Sequence, residues 1–234
     1  MAVVVGLFIG TVGVGGVLLI PFLVLLGGLD IHAAAATALF SFLFTGLAGT
    51  WLYQRRGSID WRMTALVCAG ALAFGYLGAA AAAHIDSRPL TLLIAAIIIF
   101  AGIYVFLPIK SLAQNPRGPL TLLAVGAASG FGSGLSGAGG PLFCVPLMVI
   151  LGFAPLTAIG VSQVLQIVAA LSGSAASFQD GRIDFGLAAW VALFELAGVA
   201  AGVRLAHAVS STVLRRLAAA LCIAVGSFML VRAL

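Results

Sequence analysis

Of 234 residues, 63% are hydrophobic and 7% are charged, where a soluble domain carries roughly 25% charged residues, so a water-exposed fold is excluded. The formal net charge of +5 does not point to nucleic acid, because the Lys and Arg residues sit singly or in pairs at the ends of apolar runs, as topology signals do. A spanning β-barrel is excluded too, since barrel strands alternate apolar and polar side chains, whereas these runs are continuously apolar and rich in Ala, Leu and Gly.

In chain order, runs bounded by charged or turn-forming clusters predict helices over 2–26, 33–54, 62–84, 88–107, 120–152, 157–179, 185–207 and 212–232. About 20 helical residues cross roughly 30 Å of hydrocarbon. The start, MAVVVGLFIG, lacks the basic leader and small-residue cleavage site of a signal peptide and reads as the first membrane element. The first and fifth elements carry glycine clusters at their centres, Gly13, Gly15 and Gly16, then Gly137, Gly139 and Gly140. The longest polar connection, Pro108 to Pro119 with Lys110, Asn115 and Arg117, separates a first repeat, 1–107, from a second, 120–234, with 108–119 as the connecting loop. Both belong to one integral membrane domain. Cys68, Cys144 and Cys222 fall inside apolar runs without the paired spacing of a zinc, haem or disulfide framework. They read as buried thiols, and neither cofactor nor metal is expected.

The two halves repeat one another at a shift of 124 or 125 residues. GVGG ending at Gly16 meets GAGG ending at Gly140, Pro21 meets Pro146, and Leu26-Gly27 meets Leu151-Gly152. Further on, Tyr53-Gln54 meets Phe178-Gln179, Ile59-Asp60 meets Ile183-Asp184, Gly78 meets Gly202, Ser87 meets Ser211 and Gly102 meets Gly226. Some matches have a plain structural explanation. Asp60, Asp184, Ser87 and Ser211 stand where a side-chain oxygen caps a helix start, and scattered small residues permit close helix packing in lipid.

Charge selects between two topologies. If every element crosses, Arg55, Arg56, Arg62, Lys110, Arg117, Arg182 and Arg232 share one face against Arg88, Arg204, Arg215 and Arg216, seven to four. If the two glycine-broken elements return to the side they entered from, Arg204, Arg215 and Arg216 join the larger group and Arg182 and Arg232 leave it, eight to three. The positive-inside rule prefers the hairpins. Three crossings per half then turn the second half upside down relative to the first, with both termini periplasmic or extracellular. The expected fold is an all-α polytopic membrane protein of two inverted repeats, each a broken or re-entrant helix plus three transmembrane helices. Its home is the cell (inner) membrane.

Chemistry is expected at the breaks. Gly15, Gly16, Gly139 and Gly140 let the backbone leave helical geometry, and a helix restarting there presents N–H groups and a positive dipole end to an anion. Pro141 is suited to the first turn of such a helix. After each break comes a helix with polar residues in apolar surroundings: Thr37, Ser41 and Thr45, then Ser162, Gln163 and Gln166. These would complete the coordination of a small oxyanion, unless they serve only to hydrogen-bond helix to helix. Gln54 and Gln179 lie near helix ends and read as interfacial. Glu195 is the acid placed well inside a predicted membrane helix, a candidate for proton coupling, or for pairing with Arg204. Its counterpart is Ala71.

With GVGGVLLIP in the first half and SGAGGPLFCVP in the second, each followed by a polar-bearing helix, the chain resembles the TauE/SafE sulfite exporter family over essentially its whole length. The resemblance implies a secondary transporter that moves sulfite or an organosulfonate outward. The first motif lacks the third consecutive glycine often found there, which points to a looser or asymmetric first half-site. Partners implied are the lipid bilayer and a small anion, with no nucleic acid; an oligomer is left open.

Two other classes compete. A passive anion channel would use the same lined breaks. Gly134-Leu135-Ser136-Gly137 matches the GxSG of intramembrane serine proteases with His207 on a later helix, but Ser136 aligns with Val12 inside a duplicated glycine motif that has another explanation, so no enzyme is expected.

Overall fold

The computed structural model describes residues 2–12, 15–106, 118–208 and 211–233. Gly13 and the loop residues Lys110, Asn115 and Arg117 lie outside them. The described elements are α1 (Ala2–Val12), a 3-10 turn (Gly15–Leu18), α2 (Leu19–Leu25), α3 (Ile31–Gln54), α4 (Trp61–Ala83), α5 (Ser87–Phe106), α6 (Pro119–Ser136), α7 (Pro141–Ile150), α8 (Pro155–Gln179), α9 (Phe185–Ala208) and α10 (Ser211–Ala233). The fold is all-helical, and α3, α4, α8 and α9 are each long and apolar enough to cross a bilayer. The six unbroken sequence segments end within two residues of the observed helices, whereas the first and fifth are each split in two at their glycines.

Local chemistry sets several starts. Asp60 accepts from the N–H groups of Arg62 and Met63 at 3.0 and 3.1 Å, and Asp184 accepts from Leu187 N–H at 2.9 Å, so both are N-caps as expected. Asp30 caps α3 through His32 N–H at 3.0 Å. Ser87 is not a cap: it is the first residue of α5, and its hydroxyl donates to the Asp30 carboxylate at 3.1 Å, tying the start of α5 to that of α3.

The main helix pairs are preserved when the halves are exchanged. α1 packs on α9 as α6 packs on α4, α3 touches α9 as α8 touches α4, and α3–α8 and α5–α10 pair directly. Glycines make the first of these contacts close. Gly6 lies on the backbone of Glu195 and Gly10 on Val199; 124 residues later, Gly130 lies on Ala71 and Gly134 on Gly75. A Cβ at any of the four would meet backbone, so the helices approach as only small residues allow. These contacts rise together along both chains, and so α1 and α9 are parallel, as are α4 and α6. The self-matching pairs are antiparallel: Leu39 lies near Gly173 and Gly49 near Gln163, while Gly102 lies near Ala219 and Arg88 reaches Ala233.

Both broken elements turn back. Val4 and Val5, early in α1, line the same cavity as Leu25 and Leu26 at the end of α2. Pro119, at the start of α6, shares another with Gly152 and Ala154, just past α7. Each broken element is therefore a hairpin whose tip lies inside the bundle.

Candidate functional site

The two hairpin tips meet. A Cβ on Gly16 would lie 2.8 Å from the Ala138 carbonyl oxygen and 2.8 Å from Phe42 Cζ, and one on Gly139 would lie 3.3 Å from the same ring. Phe42, fully buried on α3, is thus wedged between the tips where α3 crosses α8.

The tips are built differently. In the second half, α6 ends on Gly137 at φ 67°, Gly139 follows at φ 86°, and Pro141 opens α7 at its first position. Only glycine takes those positive φ values without strain, and proline's missing N–H costs nothing at a helix start. The Ser136 hydroxyl donates to Gly132 carbonyl at 2.6 Å and accepts from Ala138 N–H at 3.3 Å, closing the turn locally. In the first half the chain passes from Gly15 through a 3-10 turn into the seven-residue α2. Among the described residues its polar support comes from a distance: Tyr53, near the far end of α3, donates its hydroxyl to Gly10 carbonyl at 3.1 Å. Gly10 lies in the last turn of α1, where carbonyls lose their helical partners.

Of the residues expected to line a site, Thr37, Ser41, Ser162 and Gln163 are fully buried, Gln166 is 2% exposed and Glu195 is fully buried. The crossing brings some of them together. Gln166 donates to Phe42 carbonyl at 3.1 Å and Thr45 hydroxyl at 2.8 Å, so its amide N–H groups join α8 to α3. Its Oε1 faces Gly139, and Gly140 packs on Leu165 and the Gln166 backbone. Ser41 donates to Ala38 carbonyl at 2.8 Å and to Glu195 Oε2 at 3.3 Å, an interaction between halves. Gln163 lies against Gly49 with neither amide atom hydrogen-bonded, and Glu195 Oε1 is likewise unpaired among the described residues.

Others are used elsewhere. Thr37 accepts from Asp184 N–H at 3.1 Å, anchoring the start of α9 away from the crossing. The Ser162 hydroxyl donates to Ile159 carbonyl at 2.8 Å within its own helix. Glu195 pairs with Ser41 and not with Arg204, which is exposed. Gln54 is exposed and accepts from Trp61 Nε1 at 2.8 Å, an interfacial contact. Ser136 is occupied as a turn brace, and the His207 side chain lies outside the described residues.

Sequence reasoning missed Phe42 and Tyr53. Phe42 gives no signal among so many apolar residues. Tyr53 gave one: it aligns with Phe178, so the pair differs by a single hydroxyl.

Openings exist at both ends of the bundle. One cavity of about 950 Å³ is lined by Ser58, Asp60, Arg62 and Thr157. The other, about 20 Å³, is lined by His32, Gly134, Asp180 and Arg182, the last two forming a 3.9 Å ion pair. Neither includes Ser41, Phe42, Gln166 or Glu195 in its lining, so the crossing is closed towards both.

A chain of this build has relatives. Its residues 1–229 match the family model described as "Sulfite exporter TauE/SafE". In Bacillus subtilis (strain 168), a protein named "Probable membrane transporter protein YdhB" is 26% identical over 219 residues, 90% of this chain and 89% of the relative. Another, "Probable membrane transporter protein YunE", is 24% identical over 78% of this chain and 79% of its own length. No solved structure matches at a significant level. The match along nearly the whole chain makes this protein a multi-pass member of the TauE/SafE family of membrane transporters.

Proposed function

We propose that this protein is a secondary transporter that exports a small sulfur-containing anion, such as sulfite or an organosulfonate, through the crossing of α3 and α8. One observation carries the reading: the Gln163 amide is fully buried against Gly49 of α3, with neither polar atom partnered among the described residues, one helical turn before Gln166, whose Oε1 faces Gly139 of the second hairpin tip. An unmade buried hydrogen bond costs about 1–3 kcal/mol, a cost a transporter tolerates where a solute supplies the partner. The α7 start adds the Leu142 N–H and the positive end of a helix dipole. The substrate class follows from the family's description. Closure of the crossing supports a carrier over an open pore.

Supporting inverted repeats, the self-matching pairs α3–α8 and α5–α10 each run antiparallel. A two-fold relation reversing membrane-spanning helices has its axis in the membrane plane. The end of the bundle holding Arg55, Arg56 and Arg62 is cytoplasmic in this reading and both termini are periplasmic. Glu195, joined to Ser41 of the other half, is the proton-coupling group.

Purified protein in liposomes tests the proposal. Flux of sulfite, sulfate, thiosulfate and sulfoacetate is measured side by side, with and without a pH gradient. Saturable sulfite or organosulfonate flux driven by the gradient is expected; ohmic currents would replace the carrier by a channel. Glu195→Gln with full flux and unchanged pH dependence removes Glu195 from the mechanism, and tags found in the cytoplasm reverse the orientation.

A further inference from the structure

Two apolar grooves occupy matching places in the halves. One, about 230 Å³, is lined by Val4, Leu18, Pro21, Phe22, Leu25 and Val225 among others. Its mate, about 320 Å³, includes Ala128, Phe143, Pro146, Leu147, Ile150 and Ala101, the same positions 124 or 125 residues away. Each lies between a hairpin's returning helix and the α5–α10 pair. In a bilayer such a groove is open to hydrocarbon and fits an acyl chain.

The first groove has a polar mouth. Leu25 also lines a neighbouring cavity of about 480 Å³ that contains Ser87, Arg88, Thr91 and Arg232. This cavity stands at the ends of α2 and α10 and the starts of α3 and α5, where helices leave the hydrocarbon. Arg88 is held there by its Nε–H, which donates to Ala233 carbonyl at 2.8 Å. The Arg232 guanidinium sits 5.4 Å from the Phe228 ring, and among the described residues no carboxylate lies within ion-pair distance of it. Asp30, in the same cavity, has one oxygen accepting from His32 N–H and the other from Ser87. In sequence, Arg88 is matched by Thr212 and Arg232 by Pro108.

We infer that the first-half groove and the arginine-bearing cavity that shares Leu25 with it together bind one anionic phospholipid, an acyl chain in the groove and the phosphate at Arg88 and Arg232. A phosphodiester carries one negative charge that zwitterionic headgroups cancel, and guanidinium donors suit its paired oxygens. This assignment does not depend on which anion is transported.

Native mass spectrometry of the full chain, delipidated and re-exposed to equimolar phosphatidylglycerol and phosphatidylcholine of identical chains, tests it. One phosphatidylglycerol retained about ten-fold over phosphatidylcholine is expected, a difference of about 1.4 kcal/mol. Arg232→Gln, which breaks no hydrogen bond of the described fold, should abolish the preference, and Val225→Trp, which fills the groove, should lower retention of the same lipid. Arg55→Gln, at the opposite end, should change neither. Equal retention of both lipids, an unaltered preference in Arg232→Gln, or displacement by glycerol 3-phosphate as effective as by the intact lipid would each overturn the assignment. The last outcome would reduce the site to a simple oxyanion cradle.

Discussion

The two halves share a backbone plan and divide the chemistry unequally. In the second, the hairpin tip closes itself through Ser136, Gly137 and Gly139, and its following helices carry Gln163, Gln166 and Glu195. In the first, the tip is braced from α3 by Tyr53, and the positions matching Gln163 and Glu195 are Ala38 and Ala71. Duplication therefore explains the architecture, and the proposed transport role falls where the copies part: Gln163 and Glu195 keep buried polar atoms unpaired among the described residues, where Ala38 and Ala71 stand in the first half.

Exchanging residues between matching positions is the direct way to break that division. Gln163→Ala, which installs the first-half residue, should lower transport by about ten-fold, equivalent to about 1.4 kcal/mol. Because Gln163 has no hydrogen-bond partner among the described residues, thermal stability should fall little more than the lost packing requires, as a melting series in detergent would report. A loss of fold in proportion to the loss of flux would make Gln163 structural. Tyr53→Phe, which copies Phe178, should destabilise by about 1–3 kcal/mol because it leaves the Gly10 carbonyl unpaired. The reverse change, Phe178→Tyr, should be close to neutral, since Phe178 is 65% exposed. Equal effects in the two melts would show that the first tip needs no brace.

Smaller effects sharpen the comparison. Ser136→Val, which copies Val12, should cost about 1 kcal/mol through the lost turn brace, with transport retained in proportion to folded protein. Asp30 caps α3, whereas the capping position before α8 is Ala154, with no side-chain acceptor. Burial pushes the Asp30 carboxyl up, but hydrogen bonds from His32 N–H and Ser87 outweigh it and hold the group below the usual carboxylate range. A lowered folded-state pKa means the stabilisation is present above the ordinary value of about 3.9 and is lost as pH falls below it. Melting midpoints should therefore drop on acidification below about pH 4, and Asp30→Ala should flatten that part of the curve. An unchanged slope would remove Asp30 as its source.

Much of this was legible beforehand, for identifiable reasons. Long apolar runs place helices because lipid leaves the backbone no other way to satisfy its hydrogen bonds. The splits at Gly16 and Gly140 were readable because glycine pairs repeated at one spacing. Pair partners were not readable, since a helix that is apolar on every side does not announce its packing face. Thus Thr37 was grouped with Ser41 by helical spacing, yet it reaches Asp184 at the end of the bundle. Gln166 looked like a ligand donor, yet it welds α8 to α3. Phe42 was invisible because a wedge and a core residue share one side chain.

The parallel fit of α1 on α9 also bears on how the chain is made. α1 leaves the ribosome long before α9, the helix whose backbone fills its Gly6 and Gly10 face and which begins at Phe185. Until that late segment is inserted, the glycine face of α1 lacks its α9 mate and waits in lipid or beside the insertion machinery, with α3 its partner through Tyr53. Truncation before α9 would strand it there, exposed to quality-control proteases, so assembly is completed from the carboxyl end.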